Sequence, residues 1–515
     1  MQKYLAASVV TLAALMFLSV GNACTVQPGA PAATSSDAPT ASPSTSTPLP
    51  ASQPATTHAS AVTLTPTAYL PTVGYTPPAS RRVNSPYFGN NEVPLSETAI
   101  FWFGKVSPTS DYADVRVGYN ASELYVRIAV FDRRLWYDAT PAPASLTEWD
   151  ASSLYLRIAG NAGSAPDQST YRFDAQLNAG ETPRTNWQAA YRGNGSSWVV
   201  ANPSFTTESG FRWESDTVGG VNNNLNNRGW TMIYHIPFSS LGLSGAPTQS
   251  TVWGLGVVLH NRDDAANATP IADEKWPGEM NENQPVTWGQ LRYGLLTYTR
   301  PSASARQTVT VRQGLNGAIV PDAAVGGTTT NLCPGGSNFV WNEWGNANFG
   351  GALDFNIQNQ SDLADWPCYA KYYVTFPLSQ VPANKAIVSA TLILHEWGSS
   401  APDDAEVSLI QVLAIAEDWD PATLTWNNAP LAVENVSQSW VAPIPPPGFS
   451  GWPGVAYSWD VSLAAAQAYA ANQPLRLAFY EADSAYHSGK YFTSSDAEDW
   501  DAEGRPTLLI TYGTP

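Results

Sequence analysis

An all-β fold is what this sequence predicts: two β-sandwich, jelly-roll-like domains behind a disordered Thr/Pro/Ser-rich tether. Three observations predict it. From about residue 85 onward, short apolar or alternating runs recur between Gly, Asn and Pro turns, which is the pattern of paired strands. Residues 25 to about 80 are Thr, Pro, Ser and Ala, with no Lys or Arg between Lys3 and Arg81. One convincing helix stands out, Leu463 to Ala471, Ala-rich with Ser462 as its cap.

Composition narrows the function classes. A chain of 515 residues has room for two or three domains. Charged residues make up 13%, against about 25% in ordinary soluble proteins. Its polar surface must therefore come from Ser, Thr, Asn, Gln and Gly. With 20 Trp besides, such a surface suits neutral hydroxylated ligands: rings meet C–H faces and amides meet hydroxyls. The net charge of -18 repels phosphate backbones, so nucleic acid is not an expected partner. It also disfavours strongly anionic polysaccharides.

Read in order, Lys3 precedes an apolar run from Leu5 to Val20, and the run ends Gly21-Asn-Ala-Cys24. Residues 1–24 read as an export signal. Two cleavages fit. Small residues at Gly21 and Ala23 suit cutting before Cys24, and Cys24 is also placed to be the lipidated cysteine of a bacterial lipoprotein. The second is preferred, because a junction cysteine followed by a long tether is otherwise hard to explain. Membrane contact is then expected only through that lipid. Residues 25–84 are the tether, and the stretch from 25 to about 80 cannot form a core and should be extended. About 55 residues at roughly 3.1 Å each reach on the order of 170 Å.

Residues 85–297 form the first sandwich. Tyr119 is followed by the Asn120-Ala-Ser-Glu turn and then by Leu124 to Val130. Further strands are Leu154–Ile158, Tyr171–Asp174, Trp230–Phe238 and Trp253–Leu259. Asp111-Tyr-Ala-Asp114, Tyr119, Leu124-Tyr-Val126, Phe131-Asp132, Trp149-Asp150, Ile236-Pro-Phe238 and Pro285-Val-Thr-Trp-Gly289 together resemble carbohydrate-binding module family 9. Ser153 and Ile233 stand where that family often has Glu, so an acidic or metal role is not carried over.

Residues 298–306 are a short linker, and residues 307–515 the second sandwich. Ile387–Leu394 and Val407–Leu413 are strands. Asp322, Asn348-Phe-Gly350, Lys371 to Leu378, Glu417-Asp-Trp419, Leu424 to Pro430, Trp459-Asp-Val-Ser462, Phe492 to Asp496 and Arg505-Pro-Thr-Leu508 follow the order and spacing of the DNRLRE family, carbohydrate-binding module family 96. The resemblance implies a β-sandwich on a secreted or cell-surface protein. Segments 331–345 and 358–368 look like added loops. They carry Cys333 and Cys368, which export would allow to pair as a disulfide.

Motifs for chemistry are few. The sequence has no G-x-S-x-G elbow, Walker loop, CxxC or dinucleotide fingerprint. His395-Glu396 starts like a zincin motif, but Ser399 takes the second histidine's place. No cofactor is expected for certain. Calcium is the metal that acidic clusters such as Asp263-Asp264 and Asp496 to Asp501 would take. Contacts to a glycan are sought among loop aromatics. These are Trp136, Tyr137, Trp149 and Trp276 in the first domain, with Arg133 to fork onto hydroxyls. In the second domain they are Trp341, Trp344, Trp366, Trp452 and Trp500. The expected function is non-catalytic polysaccharide binding by two modules. The alternatives are a structural cell-surface or adhesin-like protein without sugar affinity, and a polysaccharide hydrolase or lyase.

Overall fold

The computed structural model describes residues 81–178, 180, 184–214, 219–268, 270–327, 337–401, 405–483 and 485–515. Cys24, the signal, the tether up to residue 80 and Cys333 lie outside the described residues. About 44% of the described residues are in strands and 9% in helices, an all-β fold.

The alternation of Leu124 to Val130 becomes the strand Glu123–Phe131, with Leu124, Val126, Ile128 and Val130 in the core. The preceding turn is closed by Asn120, whose side-chain carbonyl accepts the Ser122 and Glu123 amides at 2.8 and 2.9 Å. Ser110–Tyr119 and Asn227–Pro237 pair on either side of this strand. With Ala99–Ser107 and Thr206–Trp213 they make a five-stranded sheet. A second layer packs on it, containing Ala151–Arg157, Thr170–Gln176, Val252–His260 and Gly289–Tyr293. Trp230, Trp253, Leu255 and Tyr293 fill the space between.

Downstream, Ala386–Ser399 is the long central strand of a six-stranded sheet with Ser304–Arg312, Thr507–Thr514, Lys490–Thr493, Asp354–Ile357 and Val455–Asp460. Its partner layer holds Asp322–Val325, Lys371–Phe376, Leu475–Glu481, Ser408–Ile415 and Ala432–Val441. Leu392, Leu394, Val412, Trp459 and Phe479 lie between them. The helix runs Ser462–Ala470. Ser462 is its first residue rather than its cap: Asp460 accepts the Ser462 amide at 3.0 Å, and the Ser462 hydroxyl accepts the Ala390 amide at 2.9 Å. A second short helix, Ser337–Asn342, was not foreseen.

The two sandwiches share one front sheet. Arg82–Ser85 pairs in parallel with Gly289–Tyr293 over four residues, and with Ala432–Val441 through Arg82 and Glu434. The result is a 14-stranded sheet running through both halves. Behind that seam lies a third core, formed by both halves together. Ile100, Trp102 and Phe131 meet Trp341, Trp344, Trp366, Tyr369 and Trp426 there. The segments expected as added loops supply much of this core: Trp366 packs on Phe131 at 5.0 Å, and Trp341 and Trp344 pack on Trp366 at 5.0 and 5.7 Å.

Side-chain amides complete the seam by bonding to backbone across it. Gln411 donates to Thr98 O at 2.7 Å and accepts Ile100 N at 3.3 Å. Asn427 donates to Val106 O at 3.0 Å and accepts Val106 N at 2.8 Å. Asn435 donates to Asn84 O at 2.9 Å and accepts Asn84 N at 2.7 Å. Lys371 is buried among rings at the same place, its Nζ 3.7 Å from the Trp426 ring and 4.2 Å from that of Trp102. It donates to the Tyr112 hydroxyl at 2.6 Å, and Tyr112 and Tyr480 both donate to Asp114, at 2.8 and 2.7 Å. Burial pushes the Lys371 ammonium well below and the Asp114 carboxyl above their usual ranges.

Candidate functional site

Several of the expected contact residues are buried, and for these the expectation is corrected. Trp276 ends the short strand Glu274–Trp276 and packs on Phe101 at 4.1 Å in the first core. Trp341, Trp344 and Trp366 belong to the shared core. A buried indole has no face to offer a sugar. Their positions in connecting segments looked like surface because the rings that cover them, such as Phe101 over Trp276 and Phe131 against Trp366, are distant in sequence.

Arg133, Trp136, Tyr137 and Trp149 gather at one end of the first sandwich around three buried carboxylates. Asp150 accepts the Trp136 amide at 2.5 Å and the Arg262 amide at 2.8 Å. Asp132 accepts the Arg134 amide at 2.9 Å and Trp230 Nε1 at 3.1 Å, and Asp111 accepts Asn261 Nδ2 at 2.5 Å. Burial first, then repulsion from Asp132 on Asp111 and Asp150 and from Asp263 on Asp132, pushes all three carboxyls well above their usual range. Tyr137 is buried, and its amide donates to Asn222 Oδ1 at 2.8 Å. Trp149 is half-buried with the Arg262 guanidinium 3.8 Å above its ring. Arg133 faces Asp263 at 4.0 Å. These groups chiefly stitch loops to strand ends.

Trp452 and Trp500 are different. They are 59% and 65% exposed, and their rings meet edge to face at 4.7 Å. Trp500 sits in the turn Asp499–Asp501, where its Nε1 donates to Glu498 Oε2 at 2.9 Å. Trp452 lies on the loop that also carries Phe449, 65% exposed. Phe449 lies parallel to Trp397 at 5.9 Å, and Trp397 meets Tyr491 at 5.6 Å. The loop is held by Ser450 N donating to Trp397 O at 2.9 Å. Gly454 closes it with φ +102°, where a Cβ would lie 2.6 Å from Glu396 O. Under this surface the Glu396 carboxyl is pushed by burial up to about 8.

The first sandwich offers a second polar and aromatic face that the sequence reading missed. Trp198 begins the edge strand Trp198–Ala201 and lies parallel to Trp288 at 6.5 Å. Tyr155 meets both rings edge-on and donates to Glu282 at 2.9 Å, which Lys275 also contacts at 2.8 Å. On the neighbouring strands Arg172 pairs with Asp174 at 2.7 Å and lies 4.1 Å over Tyr191. The signal for Trp198 was the hairpin turn Asn194-Gly195-Ser196 just before it. Trp397 was hidden by a bulge, since pairing slips between Glu396 and Gly398 and breaks the alternation that would have shown its outward face.

Asp365, Cys368 and His487 come close enough to share a metal ion. Within this group Asp365 pairs with His487 at 2.8 Å. In the two acidic clusters expected to suit calcium, Asp264 accepts the Ala266 and Ala268 amides, and Asp499 pairs with Arg505 at 2.8 Å.

Residues 328–512 match the family model of carbohydrate-binding module family 96, as the C-terminal motifs implied. Solved structures similar to the chain include a carbohydrate-binding module of family 9 from Caldicellulosiruptor kristjanssonii, determined with cellotriose. It is 14% identical and covers 43% of this chain and 100% of its own, with a TM-score of 0.29. The same organism's module with glucose gives 15% identity, 43% and 100% coverage and a TM-score of 0.28. A putative carbohydrate-binding protein from Bacteroides uniformis gives 12%, 42% and 100%, and 0.31. At these scores the likeness carries no weight on function. No curated protein matches the chain.

Proposed function

We propose that this chain binds a neutral or weakly charged polysaccharide without turning it over, as a secreted or surface-held protein with a carbohydrate-binding module in each half. The observation that carries the reading is the exposed Trp452–Trp500 pair beside Phe449, within the span that matches the family 96 model. Glu498 and Asp499 flank it, so polyanions are disfavoured. Stacking a sugar face on an indole removes apolar C–H surface from water at roughly 25 cal/mol per Å². One ring then contributes on the order of 1–2 kcal/mol, about tenfold in affinity. Binding without turnover is supported by where the high-pKa carboxyls sit. Asp111, Asp132, Asp150, Glu396 and Glu481 are buried, whereas a glycosidic acid must reach the scissile oxygen. Lipidation at Cys24 and a Cys333–Cys368 bridge belong to the same reading. The intact mass of membrane-fraction protein decides the first, and a non-reducing peptide map the second.

Affinity electrophoresis of Trp452→Ala and Trp500→Ala in a panel of neutral polysaccharides is the test. Each variant should lose about tenfold in affinity for the retained glycan with an unchanged melting temperature, because neither ring is in a core. Retardation by a polysaccharide that both variants keep in full would remove this surface from the reading. Release of new reducing ends by the wild type would refute the absence of turnover.

A further inference from the structure

The seam between the halves opens into a cleft whose lining includes Asn435 of the amide clasps and Asp460, which also accepts the Ser462 amide. Beyond the Asn84–Asn435 amide pair the front sheet splays. The segment Leu295–Arg300 leaves the first half on one side, and the strand Ala432–Val441 runs along the other. Between them is a cavity of about 440 Å³, within the roughly 300–1,000 Å³ of small-ligand sites, which favour such interfaces. Tyr298 anchors its first wall by donating to Ile387 O at 2.6 Å.

The lining is mixed in a particular way. Leu296, Val436 and Leu463 give apolar floor. Thr297, Ser437 and Gln438 also line it, and their side chains make no hydrogen bond among the described residues. Arg300 and Asp460 close one end 3.7 Å apart, 63% and 57% exposed. An ion pair so long and so wet adds little to stability. It does place a donor fork beside an acceptor, the arrangement that takes both hydroxyls of a vicinal diol. Because the two charges cancel, the cleft selects neither an acid nor a cation.

We propose that this cleft is a second glycan site that holds one or two units of a neutral saccharide, separate from the Trp452–Trp500 surface. It takes its ligand class from the proposed function, but its location stands on the cavity alone.

Saturation-transfer NMR and calorimetry with cellobiose, xylobiose, mannobiose and lactose test it on the full chain. Gln438→Trp fills the cleft and Arg300→Ala removes the fork. At least one disaccharide should bind the wild type and the Trp452→Ala/Trp500→Ala double variant with affinities within about twofold. The same disaccharide should bind each cleft variant at least tenfold more weakly, with melting temperatures unchanged. Disaccharide binding lost in the Trp double variant but kept in Gln438→Trp would overturn the cleft site and leave the proposed function standing. So would retention of a polysaccharide with no disaccharide bound. If neither polysaccharide nor disaccharide binds, both fall.

Discussion

Lys371 shows how a single residue is decided by its surroundings. In sequence it stands where family 96 often has Arg, and the rings around its Nζ come from both halves: Trp102 and Tyr112 from the first, Trp426 and Tyr480 from the second. Asp114 is the acceptor that ties these groups together. Asp114→Ala would leave two tyrosine hydroxyls without an acceptor and Lys371 without its counter-charge, at a cost of about 3–5 kcal/mol. Lys371→Met alone should cost less, because a buried ammonium is replaced by apolar volume. In urea unfolding the double variant should be markedly more stable than the sum of the two losses predicts. Strict additivity would show that the two groups do not act as one network.

At the scale of elements, Asp322 joins the start of one strand to the end of another. Its Oδ2 accepts the Tyr372 hydroxyl at 2.5 Å and the Ser495 amide at 2.7 Å. Burial nonetheless raises its carboxyl to about 6. The folded chain therefore holds this proton more tightly than the unfolded one. Its contribution to stability is full below about pH 4 and is lost as pH rises through about 6, by about 3 kcal/mol. Comparing Asp322→Asn with wild type across that window should show this slope vanish in the variant. A parallel pair of stability curves would contradict it. Strands such as Glu123–Phe131 and Ala386–Ser399 were legible because one face of each is apolar and local turns bound them. The exposure of Trp452 and Trp500 was legible too, since each lies among Gly, Pro or acidic residues. Trp276, Trp341 and Trp344 were not, because what buries them is distant in sequence. Trp198 and Trp397 escaped because a search confined to loops passes over strand faces.

For the whole molecule, the seam matters more than either sandwich. Three amide clasps, a shared front sheet and the core around Trp344 and Trp366 couple the halves. Calorimetry of the chain from residue 81 onward should give one cooperative transition with calorimetric and van't Hoff enthalpies that agree. Trp344→Ala, which deletes a ring from the seam, should lower that transition by about 3–5 kcal/mol without splitting the fold at either sandwich core. Two resolved transitions in the wild type would show that the halves melt independently.

The placement of Arg82–Ser85 has a mechanical consequence. A pull applied at residue 81 enters the fold through this strand. The strand lies inside the sheet rather than at its rim, with Gly289–Tyr293 on one flank and Glu434 on the other. A load directed along it meets parallel hydrogen bonds side by side and must shear them together; it cannot peel them one after another. Arg81 and Arg82 brace the same point against Glu417 at 3.0 Å and Glu434 at 2.5 Å. Tension therefore passes into both halves at once.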